Sequence, residues 1–140
     1  MAIKLSDASR NGRINAIETD LVTGGIPKLI IYKGSDPLFN ATAASIAADV
    51  LVTISTADTD MMNAASAGVA TKEASAWSAT ATGTGTPTFF RFYKFDGTTN
   101  TIQGTAAVGS GDMNFDGSIT SGQTVTINTF TLTDGNDDGV

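Results

Sequence analysis

The sequence predicts a mainly β protein: an antiparallel β-sandwich, immunoglobulin-like or jelly-roll in kind, with one N-terminal α-helix. From residue 28 onward, short runs of apolar and β-branched residues alternate with turn residues, the pattern of antiparallel strands. No helical pattern alternates with these runs, so a βαβ sheet is not favoured. A chain of 140 residues is the size of one domain. We expect one domain, 1–140, comprising an N-terminal arm (1–5), a helix (6–21), a β-sandwich (28–133) and a polar C-terminal tail (134–140).

The helix is predicted by apolar residues on one face of a 3.6-residue period. Ile14, Ile17 and Leu21 recur at i, i+3 and i+7. Ser6 is placed to cap the first turn, because its hydroxyl can accept from a free backbone N–H. The Gly24-Gly25 pair then ends the helix.

Six or seven short strands are expected after Pro27, and the clearest runs are 29–32, 49–54, 73–80, 89–95, 102–108 and 124–133. The Asp96-Gly97 pair between two of these runs predicts a hairpin with a type I′ turn, because both central residues of that turn need positive φ. In the last run the apolar positions change from odd to even near Asn128-Thr129, which predicts a β-bulge.

The composition excludes several classes of function. The chain has no Cys and no His, which removes thiolate sites, disulfides, the usual general base and the commonest metal ligand. The chain has fourteen acidic residues and only eight basic ones, and the basic residues are scattered along the sequence, so a nucleic-acid partner is not expected. No run approaches the roughly 20 apolar residues that span a bilayer, and the N-terminus lacks a secretory signal pattern. We expect synthesis in the cytoplasm and no membrane association.

One segment resembles the start of a calcium loop. Asp112, Asn114 and Asp116 supply oxygen ligands at positions 1, 3 and 5, and Gly117 follows at position 6. Position 12 is Gln123, which cannot supply the bidentate carboxylate that this loop requires. A polar turn explains the same residue types, and it is the favoured interpretation. A second partial copy consists of Asp134, Asn136, Asp138 and Gly139.

The remaining acidic residues give no catalytic pattern. Glycosidase chemistry needs two carboxylates across a cleft, but no spacing selects a pair from Glu18, Asp49, Asp58, Asp60 and Glu73. We therefore expect a protein that is not an enzyme, with no catalytic residue, no metal and no cofactor.

The run from Phe89 to Phe95 is apolar on both faces. A half-solvated strand would alternate apolar with polar residues, so this strand is either central in a two-layer core or half of an interface. We expect Phe90 and Phe92 inside the sandwich. The opposite face carries Phe89, Tyr93 and Phe95 around Arg91, and three covers are open: the second side of the fold, the helix through Ile14 and Ile17, or a neighbouring subunit.

Several segments in a fixed order along the chain carry a resemblance to a known family. They are 1–6, the helix at 10–18, Ala65–Ala70, the Thr-Gly-Thr stretch before Phe89, Asp96-Gly97, Ile102–Gly104, Gly111–Asn114, Gly122–Ile127 and Phe130–Leu132. In their order and spacing, over almost the whole chain, these segments resemble a family of small structural proteins of tailed-bacteriophage virions.

The resemblance implies a structural role in the particle, and it makes Gly111–Asn114 a recurring turn. We expect a capsid decoration or cement protein, located in the virion, that binds the major capsid protein. It is expected to self-associate as a dimer or trimer and to dock on the capsid through an arm, Met1–Leu5. A neck, collar or tail-associated virion protein is the alternative. A carbohydrate-binding module of a phage fibre, using Asp112–Ser118 and Trp77, is a further one.

Overall fold

A computed structural model describes residues 4–35, 43–56 and 60–134. Within these ranges one α-helix precedes nine strands, and a short 3-10 helix (Ala43–Asp49) lies between the first two strands. The elements are α1 (Asp7–Val22), β1 (Lys28–Tyr32), β2 (Val50–Ser55), β3 (Val69–Thr71), β4 (Trp77–Thr80), β5 (Phe89–Tyr93), β6 (Asn100–Val108), β7 (Met113–Phe115), β8 (Thr124–Ile127) and β9 (Thr131–Thr133).

The helix begins where the sequence predicts. Ser6 is the N-cap, and its hydroxyl oxygen accepts the backbone N–H of Ser9 at 3.2 Å. Ile14 and Leu21 are buried, as their periodicity predicts. The helix ends at Val22, and Gly24 then adopts φ +95°, a left-handed conformation that glycine tolerates best.

The main sheet has five strands in the order β2-β1-β5-β6-β7. The first three pairings are antiparallel, as predicted, but β6 and β7 are parallel. Parallel neighbours usually need a long crossover. Here a short loop suffices, because Gly109 and Gly111 adopt φ +77° and +88°, a left-handed conformation that glycine tolerates. The loop brings the chain back alongside Ala106, so that Met113–Phe115 pair with Ala106–Val108. Neither β3 nor β7 was predicted, because three-residue strands carry no periodicity.

The hairpin between β5 and β6 is confirmed, but its turn is not type I′. The loop spans six residues, 94–99, and only Gly97 has positive φ. Gly97 donates its N–H to the Lys94 carbonyl at 2.9 Å. The Asp96 carboxylate accepts the side-chain and backbone groups of Thr99 and the N–H of Thr98, which lowers the pKa of Asp96 to about 2. The Asp96 side chain therefore organises the turn, and Gly97 supplies its one left-handed residue.

The predicted strand 124–133 is two strands. β8 pairs with β4 and β9 pairs with β3, so the two belong to different two-stranded sheets. The change of phase at Asn128 is a break between strands and not a bulge. The break turns Ile127 and Phe130 inward together, and both are buried.

The main core lies between one face of the five-stranded sheet and a layer formed by α1 and the two small sheets. At its centre four aromatic rings pack with centroids 5.1–6.1 Å apart: Trp77, Phe90, Phe92 and Phe130. Phe90 and Phe92 are buried there, as predicted. The fold is therefore mainly β and sandwich-like, with one helix at its N-terminus.

Candidate functional site

The second face of β5 holds a buried polar network. Arg91 is fully buried, and its Nε donates to Gln103 Oε1 at 2.6 Å. Its Nη1 donates to the Tyr93 hydroxyl at 3.3 Å, and that hydroxyl lies 2.8 Å from the Tyr32 hydroxyl. Burial, together with the bond to Tyr93, raises the pKa of Tyr32 well above its ordinary value. These contacts stabilise a charge inside the fold, because a buried charge is costly unless it is hydrogen-bonded.

The same face is covered within the chain. Phe89 stacks on Tyr32 with ring centroids 4.7 Å apart, and Ile30 and Ile46 complete a second small core. Phe89 and Tyr93 are fully buried within the chain, so a neighbouring subunit, one of the three covers left open, is not what covers them. The first of the three covers, the second side of the fold, is the one found.

The helix cannot be the cover of Phe89 and Tyr93, because Ile14 packs in the main core on the opposite side of the sheet. Phe95 differs from its two neighbours. It is half-exposed, and its ring lies against Gly24 and Gly25, where a side chain on either residue would collide with it or press on it.

The predicted calcium segment is extended. Asn114 belongs to β7, while Asp112 and Asp116 lie in bends on either side of it, so the segment is not one continuous ion-binding loop. Alternate residues of a strand lie roughly 6.5 Å apart, whereas calcium ligands lie about 2.3–2.6 Å from the ion. The strand at the centre of the segment spaces these side chains along the chain instead of curling them around one ion, and Asp112 is already bonded to Thr105. In the described part of the chain, no group of three acidic residues is placed to hold a metal.

Asp112 and Gln123 have structural partners instead. Asp112 Oδ2 accepts the backbone N–H of Thr105 at 2.9 Å and its hydroxyl at 2.8 Å. These two bonds lower the pKa of Asp112. Gln123 Oε1 accepts the N–H of Thr120 at 3.0 Å and so closes a turn. The sequence indicated where this polar cluster lies. It could not show that Asp112 and Gln123 accept hydrogen bonds from Thr105 and Thr120 of the same chain.

The first residue of the predicted tail belongs to the fold. Arg13 makes a bidentate pair with the Asp134 carboxylate, at 2.6 Å for each bond. Arg10 Nε donates to the Asp134 carbonyl at 3.0 Å, and the Asp134 N–H donates to Gly68. The end of β9 is therefore fixed to α1. Asn136, Asp138 and Gly139, with the rest of 135–140, lie outside the described residues, as do residues 1–3 of the arm.

Glu18 and Asp60 are the acidic residues that come closest to a functional pair. Burial raises the pKa of Glu18 and the charge of Asp60 adds to this, while the Met62 N–H, donated at 2.7 Å, opposes it. The cavity beside Glu18 is about 10 Å³, which is room for at most one water. The pair has no space for a substrate.

The other acidic candidates have different surroundings from the pair of Glu18 and Asp60. Asp49 lies against Gly34, and the Glu73 carboxylate accepts the N–H groups of Ala74 and Ser75. Asp58 lies outside the described residues.

Trp77 cannot serve as a sugar-binding platform. Its side chain is fully buried in the main core, beneath Lys72, whose Nζ lies 5.1 Å from the ring centroid. Stacking on a sugar requires an exposed ring face. This part of the carbohydrate-binding interpretation is wrong. The burial of Trp77 could not be predicted, because Trp77 stands among small residues that are typical of a surface strand.

Sequence reasoning missed a surface made by two stretches without charge. Residues 74–90 and 117–133 each contain no Asp, Glu, Lys or Arg. They pair through β4 and β8 and through an isolated bridge between Gly85 and Ile119. The exposed hydroxyl side chains within 78–86 and 118–126, called the hydroxyl face below, are Ser78, Thr80, Thr82, Thr84, Thr86, Ser118, Thr120, Ser121, Thr124 and Thr126.

The hydroxyl face is ordered by its own contacts. The hydroxyl oxygens of Ser78 and Thr126 lie 2.9 Å apart across the β4–β8 pair, within hydrogen-bond distance. Those of Thr86 and Ser118 lie 3.0 Å apart. On the inner side of the same strands, Trp77, Val125 and Ile127 are buried in the main core. The alternation of Thr along 80–88 was visible in the sequence, but its pairing with a second uncharged stretch was not.

No protein-family model, curated protein or solved structure matches this chain. The chemistry of its surfaces therefore carries the functional argument. Among the described helices, none is both long and apolar enough to cross a membrane.

Proposed function

We propose that this protein is a structural component of a tailed-bacteriophage virion, a decoration protein that binds the major capsid protein and stabilises the assembled head. The proposal is a binding role and not an enzymatic one. It is supported by the family resemblance of the sequence and by one structural observation, the hydroxyl face.

The hydroxyl face suits a broad protein contact. Charged residues are depleted at the centre of protein interfaces, because each buried charge must be desolvated. Serine and threonine hydroxyls can both donate and accept hydrogen bonds, so they can match a partner's backbone. The surface is also rigid, because its strands bury Trp77 and Val125 on their inner side. A protein present in many identical copies needs such a repeatable surface.

Copy number tests the assignment to the head. Purified virions are separated into heads and tails, and the band of this 14.3 kDa protein is measured by gel densitometry against the major capsid protein. We expect hundreds of copies in the head fraction. About a dozen copies would assign the protein to the neck or collar, and its presence on tails alone would assign it to the tail; either result overturns the head assignment.

A matched pair of variants tests the hydroxyl face. Thr80→Lys places a charge at the centre of that face, and Ala16→Lys places the same charge on the exposed side of α1. We expect Thr80→Lys to weaken binding to heads that lack the protein by at least about tenfold, which is 1.4 kcal/mol, while Ala16→Lys binds like the unmodified protein. Equal binding of the two variants would show that another surface contacts the capsid.

A further inference from the structure

The outer edge of β7 faces an open groove. β7 is the last strand of the five-stranded sheet, with β6 as its single neighbour there. The groove has a volume of about 380 Å³ and is lined by Asp112–Asp116 on one side and by Thr126–Thr131 on the other. An edge strand beside a groove is where an extended segment can add to a sheet.

The backbone of β7 is oriented for such an addition. Gly109 donates its N–H to the Phe115 carbonyl at 3.2 Å, so the Phe115 carbonyl points toward β6. Successive residues of a strand direct their backbone groups to opposite sides of it. The N–H and C=O of Asn114 therefore point into the groove, where an added strand would bond to them.

The charge of the groove restricts its occupant. Its lining contains two carboxylates, Asp112 and Asp116, and no basic side chain. The chain as a whole carries a net charge of −6, so an acidic segment of a second copy would be repelled by the groove. The arm, Met1–Leu5, is different: it contains Lys4 and no acidic residue, and its five residues equal the length of the Asp112–Asp116 segment.

We propose that the arm of one copy of this chain adds as a strand to the β7 edge of a second copy. The assignment refines the proposed function, because it directs the arm to a neighbouring copy and leaves the hydroxyl face for the capsid. It rests on the self-association expected from the sequence but not on binding to the capsid. Two copies can exchange arms reciprocally in a two-fold symmetric dimer, or each copy can pass its arm head-to-tail to the next copy in a ring.

Light scattering of the isolated protein tests the inference without any capsid. We expect the full chain to associate to a multiple of 14.3 kDa. Deleting residues 1–5 is expected to weaken association at least tenfold. Asn114→Pro is expected to do the same, because it removes an N–H that faces the groove and not β6. Thermal melts establish that each variant is folded.

Charge exchange gives the matched control. Lys4→Asp and Asp116→Lys should each weaken association, and the double variant should restore it, because the opposite charges again face each other. An equimolar mixture of the 1–5 deletion and Asp116→Lys should form a heterodimer, since one copy keeps the groove and the other keeps the arm. A full chain that stays monomeric, a deletion that associates normally, or a double variant without rescue would each overturn the inference. A monomer that still coats heads would leave the decoration role standing.

Discussion

The central strand β5 and the edge strand β7 of the five-stranded sheet differ in burial and in the number of neighbouring strands. All five residues of β5 are buried, whereas only Met113 of β7 is. β5 has a strand on each side and a core on each face, but β7 has one neighbouring strand and faces a polar groove. An aromatic strand that could have been an interface is thus closed within one chain. The polar segment that could have been a metal site is an open edge.

Phe92→Ala is expected to have the largest effect, because it empties the centre of the aromatic core. Loss of a buried Phe side chain costs about 3–5 kcal/mol, a large part of the stability of a small domain. Urea denaturation of the variant measures this loss. A variant as stable as the unmodified protein would show that β5 is not central.

Tyr93→Phe tests the second face of the same strand. The Tyr93 hydroxyl lies between Tyr32 and Arg91, so its removal leaves two buried groups short of a partner and costs about 1–3 kcal/mol. Tyr32→Phe is the matched control. It leaves the bond between Arg91 and Tyr93 intact and should cost only about 0.5–1.5 kcal/mol by the same denaturation measurement. The reverse order would mean that Arg91 does not depend on Tyr93.

Asp112→Asn tests the edge, where a smaller effect is expected. The variant weakens the two bonds from Thr105, which at an exposed site are together worth about 0.5–1 kcal/mol at pH 7. Because the folded pKa of Asp112 lies below its ordinary value of 3.8, this stabilisation is present above that value and is lost as the pH falls through the folded pKa. Melts of both proteins from pH 7 to pH 2 should therefore converge at the acidic end. A constant difference would contradict the assigned bonds.

Calcium is expected to have no effect on the same edge. A site saturated at 100 times its dissociation constant would add about 2.7 kcal/mol, which a melt detects easily. Because Asn114 lies in β7 with Asp112 and Asp116 at its two ends, and Asp112 is bonded to Thr105, neither added calcium nor a chelator should move the melting temperature. A clear rise with calcium would show that this segment adopts a different conformation.

The sequence predicted what depends on local pattern and missed what depends on pairing. The helix cap at Ser6 and the burial of Phe90 and Phe92 follow from spacing alone. The break after Ile127 looked like a bulge, because a change of phase does not reveal that the two halves join different partners. The residue types at 112–116 match those of a calcium loop. Their positions, however, are set by the parallel pairing of β7 with β6, which the local sequence does not indicate.

Hydrogen exchange of the dilute, monomeric protein tests most directly whether the centre is closed and the edge is open. Amides of β5 should exchange only through global unfolding, at least about a thousandfold more slowly than the Asn114 amide, which faces the groove. Raising the protein concentration should slow the exchange of Asn114 and leave β5 unchanged. Rapid exchange of β5 in the monomer, or protection of β5 that appears only on association, would show that its aromatic face is an interface after all.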